Sequence, residues 1–254
     1  MAESMRIQRV LARAGVASRR RADAMVAAGR VAVNGEPART GQSVNPARDR
    51  ITVDGQSVRM PGRVVWIALN KPPGVLTTRS DRFVRPTVFD LIAQSAPLAP
   101  GLTYVGRLDY MTEGLLLLTT DGRAAHRLTH PSSEVERRYV ATVRGPARRA
   151  VRLARAGVEL DDGPVNPRSV DARPLDRGRW AFEVTIAEGR TREIRRLCEA
   201  LGLEVEGLVR TAFGPVSLGS LAPGETRALT RAERAAIAAL VRRPARPRTT
   251  PTTG

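Results

Sequence analysis

The chain has 254 residues, enough to bury one sizeable core and a smaller second one. Its 42 basic residues against 25 acidic ones leave a net charge of +17, which favours polyanionic partners and nucleic acid first among them. No long apolar span and no N-terminal apolar h-region accompanies that charge, so no membrane is expected as a partner.

The one cysteine, Cys198, excludes an intramolecular disulfide and builds no zinc site alone, which fits a reducing cytoplasm. His126 and His130 stand four apart, but no carboxylate or cysteine pattern joins them, and no metal is expected. Arginine supplies nearly all the positive charge. The single lysine, Lys71, therefore marks a position suited to a compact ammonium and not to a planar fork.

Residues 5–62 read as a small separate module. Ile7, Val10, Leu11 and Ala14 form one helical face, with Arg6, Arg9 and Arg13 mostly opposite. Gly15 ends this helix, Ser18 is the N-cap expected of a second, and Gly29 stands where a C-terminal glycine belongs. Arg19, Arg20 and Arg21 crowd the start of the second helix, where backbone N–H groups already favour phosphate. Val31–Val33 runs into Asn34-Gly35, and Ile51–Val53 into Asp54-Gly55; each is a strand followed by a hairpin turn. Met60–Arg63 reads as a linker.

A larger domain over residues 63–243 follows. Val64–Leu69 is a buried-strand candidate that runs into the turn Asn70-Lys71-Pro72-Pro73-Gly74. Thr103–Leu108 and Leu115–Thr119 are further strands, and Gly106-Arg107-Leu108-Asp109 lies in the polar break between them. Tyr139–Val143 and Ala181–Ile186 alternate as half-buried strands do. Helices are expected from Arg123, from Thr191 to Leu201, and from the capping box of Thr230 and Glu233 to Val241. Residues 244–254 carry no apolar anchor and are expected to be disordered. Strands outnumber helices without regular alternation. The fold class expected is α+β: a small N-terminal α/β module, then a domain with a mixed, mainly antiparallel sheet.

Two resemblances stand on these residues. Arg6 to Gly35, above all Ala14 to Arg20 and Val31 to Gly35, resembles the S4-type RNA-binding domain. The resemblance implies RNA contacts from Arg6, Arg9, Arg19, Arg20 and Asn34. Residues 5 to about 243 resemble the RsuA/RluB-type pseudouridine synthases of ribosomal RNA. Four segments carry this: the N-terminal module; Leu69 to Gly74; Gly106 to Gly122; and Glu188-Gly189-Arg190 through Arg195-Arg196, with Gly214-Pro215-Val216 beyond.

This resemblance implies that a uridine is detached at its glycosidic bond, turned, and rejoined through carbon five. No redox change occurs, and no cofactor is expected. The family's nucleophilic aspartate maps to Asp109, its active-site tyrosine to Tyr139, and the arginine that accompanies the carboxylate to Arg195. On the helix expected there, Ile194, Leu197, Cys198 and Leu201 form the apolar stripe. Arg195 stands at its boundary, about 110° from the centre at roughly 100° per residue, while Arg192 and Arg196 face outward and suit phosphate.

Arg107 matches an arginine that holds RNA beside the flipped base; the alternative is an ion pair with Asp109 or Glu113. Lys71 either contacts phosphate or braces the floor of the site. Thr120 stands where many members have asparagine, and Glu193 where some branches have glutamine, which tilts the expectation toward 23S rRNA. The expected partner is thus ribosomal RNA, as a 23S stem-loop or an assembling large subunit, bound by a monomer. A 16S rRNA synthase and a non-catalytic ribosome-assembly factor are the alternatives.

Overall fold

A computed structural model of the chain describes residues 4–95 and 97–243. The tail of residues 244–254, expected to be disordered, lies outside the described residues. The chain divides into two compact units. One comprises the residues up to Val65 together with Pro97–Thr103 and Thr119–Gly122; the other comprises the rest. The main break falls between Val65 and Trp66, three residues past the expected boundary.

The first unit contains β1 (Met5–Arg6), α1 (Ile7–Arg13), α2 (Arg19–Ala27), β2 (Val31–Val33), β3 (Glu36–Pro37), β4 (Ser43–Val44), β5 (Ile51–Val53) and β6 (Gln56–Ser57). Ile7, Val10 and Leu11 recur at helical spacing and pack with Ala22, Met25, Val26, Val31, Val33 and Ile51 into one core. The Ser18 hydroxyl accepts a hydrogen bond from the Arg21 amide at 3.3 Å, which caps α2. Strands pair in the order β3-β2-β5-β6. Both hairpin turns need positive φ at two successive residues: Asn34 (55°) and Gly35 (94°), then Asp54 (49°) and Gly55 (80°).

The second unit is built on β7 (Trp66–Lys71), α3 (Val88–Ser95), β8 (Thr103–Val105), β9 (Glu113–Thr119), α4 (Gly122–Thr129), β10 (Arg137–Arg144), α5 (Ala147–Ala156), β11 (Val158–Leu160), β12 (Gly163–Val165), β13 (Ser169–Pro174), β14 (Arg179–Ile186), α6 (Glu193–Ala200), β15 (Glu204–Phe213), β16 (Val216–Ser217), β17 (Thr226–Ala228) and α7 (Arg231–Arg242). Among the described residues nine strands form one sheet, in the order β13-β14-β10-β15-β9-β7-β17, with β16 beside β15 and β8 beside β9. The pairs β13–β14, β14–β10, β10–β15 and β7–β17 are antiparallel, whereas β15 and β9 run parallel. This is the mixed, mostly antiparallel sheet expected. Leu115–Leu118 is fully buried, as a central strand requires.

The structure shifts several expected boundaries. The first strand of this unit covers Trp66–Lys71, so Asn70 and Lys71 are strand and not turn. Pairing with β17, extended by the hydrogen bond from the Asn70 amide to the Glu225 carbonyl, holds the backbone straight up to Pro72. Eight elements of this unit without a sequence expectation appear: α3, opened by reciprocal Thr87–Asp90 hydrogen bonds; α5; the strands β11, β12, β13, β16 and β17; and the ten-residue β15 at the centre of the sheet. The capping box of α7 is present, with the Thr230 hydroxyl on the Glu233 amide and the Glu233 carboxylate on the Thr230 amide. Thr120, in place of asparagine, is buried and accepts from the Val65 amide at 3.0 Å, so a hydroxyl makes the contact at that turn.

Candidate active site

The parallel contact of β9 with β15 creates the site. It needs glycine at position 114: φ there is +97°, and a Cβ would stand 2.4 Å from the Arg210 carbonyl oxygen. With nothing but hydrogen at that Cα, Glu113 and Gly114 lie against Val209 and Arg210. The loop between β8 and β9 is then pinned above the strand ends. Gly106 turns the chain with φ +71°, and the Thr112 amide closes onto the Asp109 carbonyl at 3.0 Å. Leu108 points inward and is buried, so Arg107 and Asp109 on either side are exposed. The Thr77 hydroxyl donates to the Leu108 carbonyl at 2.9 Å and accepts from its amide at 3.4 Å, which fixes the residue just before Asp109.

Lys71 is the second anchor. Its side chain is fully buried, and its ammonium donates to the carbonyls of Pro72 (2.9 Å), Val75 (2.8 Å) and Tyr110 (3.2 Å). Burial pushes its pKa down to about 8, and the carboxylates of Glu113 and then Asp109 oppose that shift. Of the two roles expected of Lys71, RNA contact is therefore excluded, because all three donors point into the fold. Tyr110, next to Asp109, is exposed.

A cavity of about 250 Å³ opens beside this loop. Its wall includes Arg107, Asp109, Tyr139, Arg192, Arg137 and Arg210. It accommodates one base and not a duplex, whose major groove alone is about 12 Å wide. The strand alternation of β10 explains two of these residues: Arg137 and Tyr139 share the inward face with Ala141 and Val143. Arg137 donates to the carbonyls of Ala187 and Glu188, and Arg210 donates to the Leu115 carbonyl at 2.8 Å. The two guanidinium groups lie 5.3 and 5.2 Å from the ring centre of Phe213. Burial pushes the Arg137 guanidinium below the usual arginine range, and the charge of Arg210 adds to that effect, while Tyr139 and Glu193 oppose it. The cavity thus has a positive inner wall.

Residues 65–200 match the RNA pseudouridylate synthase family, and residues 5–51 match the S4 domain. An uncharacterized RNA pseudouridine synthase of Mycobacterium tuberculosis is 48% identical over 230 residues, covering 89% of each chain. The chain belongs to the RNA pseudouridylate synthase family. A ribosomal large subunit pseudouridine synthase B of Pasteurella multocida is 43% identical over 227 residues, covering 86% of this chain and 64% of the relative. A crystal structure of a pseudouridylate synthase superposes with a TM-score of 0.63 at 30% identity, covering 92% of this chain and all of that one. RNA is the partner of such a synthase, and no helix among the described residues is long and apolar enough to cross a membrane.

The other expected site residues of this synthase distribute as follows. Arg195, expected beside the Asp109 carboxylate, donates to the Met111 carbonyl at 3.1 Å, two residues further along the same loop. Asp109 has no ion pair within 4.0 Å among the described residues, nor do the guanidinium groups of Arg107 and Arg192. Arg192 adopts φ +51° as the N-cap of α6 and is exposed at the cavity wall.

Arg196 departs from its expected role. Its guanidinium is held by Asp162 at 2.7 Å, and the same aspartate binds Arg190 at 2.9 Å. Helical spacing placed Arg196 outward, but a hairpin loop from β11 and β12 supplies the acidic partner there. Asn34 departs too: its side-chain amide donates to Asp49 at 3.0 Å and its oxygen accepts from the Arg50 amide at 2.8 Å, so it fastens its own turn. Arg19 and Arg20 are exposed, Arg9 is half-buried, and Arg6 is exposed with its guanidinium on the Gly41 carbonyl.

Sequence reasoning did not select Arg137, Arg210 or Arg190 for the cavity. Glu193, noted only for its charge, is buried; it accepts from the Arg190 amide at 3.0 Å, and burial pushes its carboxyl up. It orders the chain just before Arg192.

Proposed function

We propose that this synthase converts a specific uridine of 23S ribosomal RNA to pseudouridine, with the Asp109 carboxylate as nucleophile. The single observation that carries the reading is an exposed carboxylate on a doubly anchored loop, opening into a base-sized cavity with a positive inner wall. The choice of 23S rRNA rests on the relatives named ribosomal large subunit pseudouridine synthase B.

The target nucleotide leaves its stack, because its reacting atoms are unreachable inside a helix. Asp109 forms a covalent bond to the uridine, at the sugar or at the ring, as the bond between N1 and the sugar breaks. The base turns, carbon five joins the sugar, the bond to Asp109 breaks to return its carboxylate, and the hydrogen of carbon five passes to solvent while N1 gains a proton. Atoms and electrons balance without a cofactor.

The Tyr139 ring stacks on the turning base, and its hydroxyl lies where carbon five sheds its proton. Arg195, through the Met111 carbonyl, positions the loop that carries Asp109, and Arg107 and Arg192 meet the flanking phosphates. The first unit, through Arg6, Arg9, Arg19 and Arg20, adds sequence-independent affinity. The protein acts as a monomer in the cytoplasm.

The test is release of tritium from 23S and 16S rRNA labelled at carbon five of uridine. The wild type is expected to release tritium from 23S rRNA alone. Asp109→Asn is expected to release none while its RNA affinity stays within about twofold. Release from 16S rRNA alone changes the substrate. Full activity of Asp109→Asn removes the nucleophile, and no release from either RNA by the wild type leaves an assembly factor.

A further inference from the structure

The segment between β7 and α3 contains a closed loop over residues 77–87. Leu76 and Thr87 form an isolated bridge at its neck, and the Leu76 amide donates to the Pro86 carbonyl at 2.9 Å. The neck is also tied to the site, since Thr77 holds both backbone groups of Leu108. The loop therefore projects from the residue that precedes Asp109.

Its tip is unusual. Phe83 is 63% exposed and Val84 is 91% exposed, the two largest values among the bulky apolar side chains described. Exposure of that kind normally accompanies disorder or a partner. Here the tip is ordered from within. The Asp81 carboxylate accepts from the amides of Phe83 (3.0 Å) and Arg85 (3.2 Å) and from the Arg85 guanidinium (3.1 and 2.9 Å). These bonds, the guanidinium ones first, pull its pKa down to about 2. They hold Val84 at φ +58°, a conformation that a β-branched residue adopts only when its surroundings impose it. The guanidinium groups of Arg82 and Arg85 flank the Phe83 ring at 4.6 and 5.4 Å, and Arg79 lies over Phe89.

We propose that Phe83 and Val84 are a wedge that enters the RNA base stack beside the target uridine and fills the space the extruded base leaves. The inference rests on the reading of the protein as an RNA-modifying enzyme. An apolar wedge inserted between base steps stabilises a gapped stack, and an aromatic ring stacks on any neighbouring base. Three arginines against one aspartate give the loop a charge suited to phosphates on either side of the gap. A protein pocket taking the same tip would have to bury Arg82 and Arg85 with it, since both lie against Phe83. The rigid neck matters because the wedge must arrive at a fixed distance from Asp109.

The probes are a short RNA duplex with one base-less nucleotide and the same duplex fully paired, each titrated with the full chain. The wild type is expected to favour the gapped duplex by about tenfold, the size of one lost stacking contact. Phe83→Ser is expected to abolish that preference while keeping its affinity for the paired duplex and its melting temperature. Phe83→Trp is expected to retain the preference. An undiminished preference in Phe83→Ser overturns the wedge. No preference in the wild type overturns it too and leaves the tip to a protein partner. A wild type that prefers the gap but releases no tritium from either rRNA supports the wedge and refutes the proposed reaction.

Discussion

Replacing Lys71 by methionine isolates the cost and the benefit of a buried ammonium. The substitution removes three hydrogen bonds. The Val75 carbonyl is left buried without a donor, the Pro72 carbonyl is left partly buried, and the Tyr110 carbonyl keeps its bond from the Gly74 amide at 3.0 Å. At about 1–3 kcal/mol for each buried orphan, the loss is on the order of 3 kcal/mol. The same substitution relieves a desolvated charge. The drop in the Lys71 pKa from 10.5 to about 8 corresponds to a penalty of roughly 3 kcal/mol while the group is protonated.

The folded-state pKa lies below the unfolded one. Between about pH 8 and 10.5 the unfolded chain therefore retains a proton that the folded chain has released, and this group raises stability as pH increases. Near pH 7 the two effects cancel, so Lys71→Met is expected to match the wild type within about 1 kcal/mol. At pH 10.5 the penalty is gone, and the variant is expected to be less stable by on the order of 3 kcal/mol. Urea unfolding followed by tryptophan fluorescence measures this cleanly, because the chain's only two tryptophans, Trp66 and Trp180, both lie in the second unit. A deficit of the same size at both pH values, or one that grows toward neutral pH, refutes the account of Lys71 as a desolvated brace.

Gly114→Ala is expected to destabilise the second unit by more than about 3 kcal/mol, since the new Cβ meets the Arg210 backbone and φ is positive. Gly122→Ala, with nothing within 4 Å of its added Cβ, is its control, and thermal melts of the pair should separate them. Changing Arg19 and Arg20 together to alanine is expected to weaken binding to ribosomal RNA uniformly. It should reduce the slope of log affinity against log salt by about 1–2, read from titrations at several salt concentrations.

Local signals carried the first unit. Helical spacing at Ile7, Val10 and Leu11, the Ser18 cap and two positive-φ turns are each written within a few residues, and the fold uses them as they stand. The centre of the second unit is different. Strand β15 pairs with β10 through two register shifts, so its inward face does not follow strict alternation. Its sequence also mixes Glu204, Glu206, Gly207 and Arg210 into the run, and a buried arginine reads as a break in a strand. One clue was present: Arg137 has the same parity as Tyr139 on β10, and it shares the buried face. Asp109 was legible through its motif, but its setting was not. The supports at Lys71, Thr77 and Arg195 come from two segments distant in sequence from Asp109, and the acidic partner of Arg196 sits 34 residues away on a hairpin.

The placement of β15 between β10 and β9 has a consequence for biosynthesis. Residues 113–119 and 137–144 leave the ribosome well before residues 204–213, yet neither can complete its pairing without them. The nascent enzyme therefore exposes two unzipped strand edges while some sixty residues remain to be added, a state open to mispairing with other chains. The N-terminal core, closed by about residue 53, can grip RNA during that interval. Production stalled or cut short of Phe213 thus yields an adhesive but inert polypeptide, and a chaperone that shields sheet margins should raise the yield of active molecules more than one that shields helices.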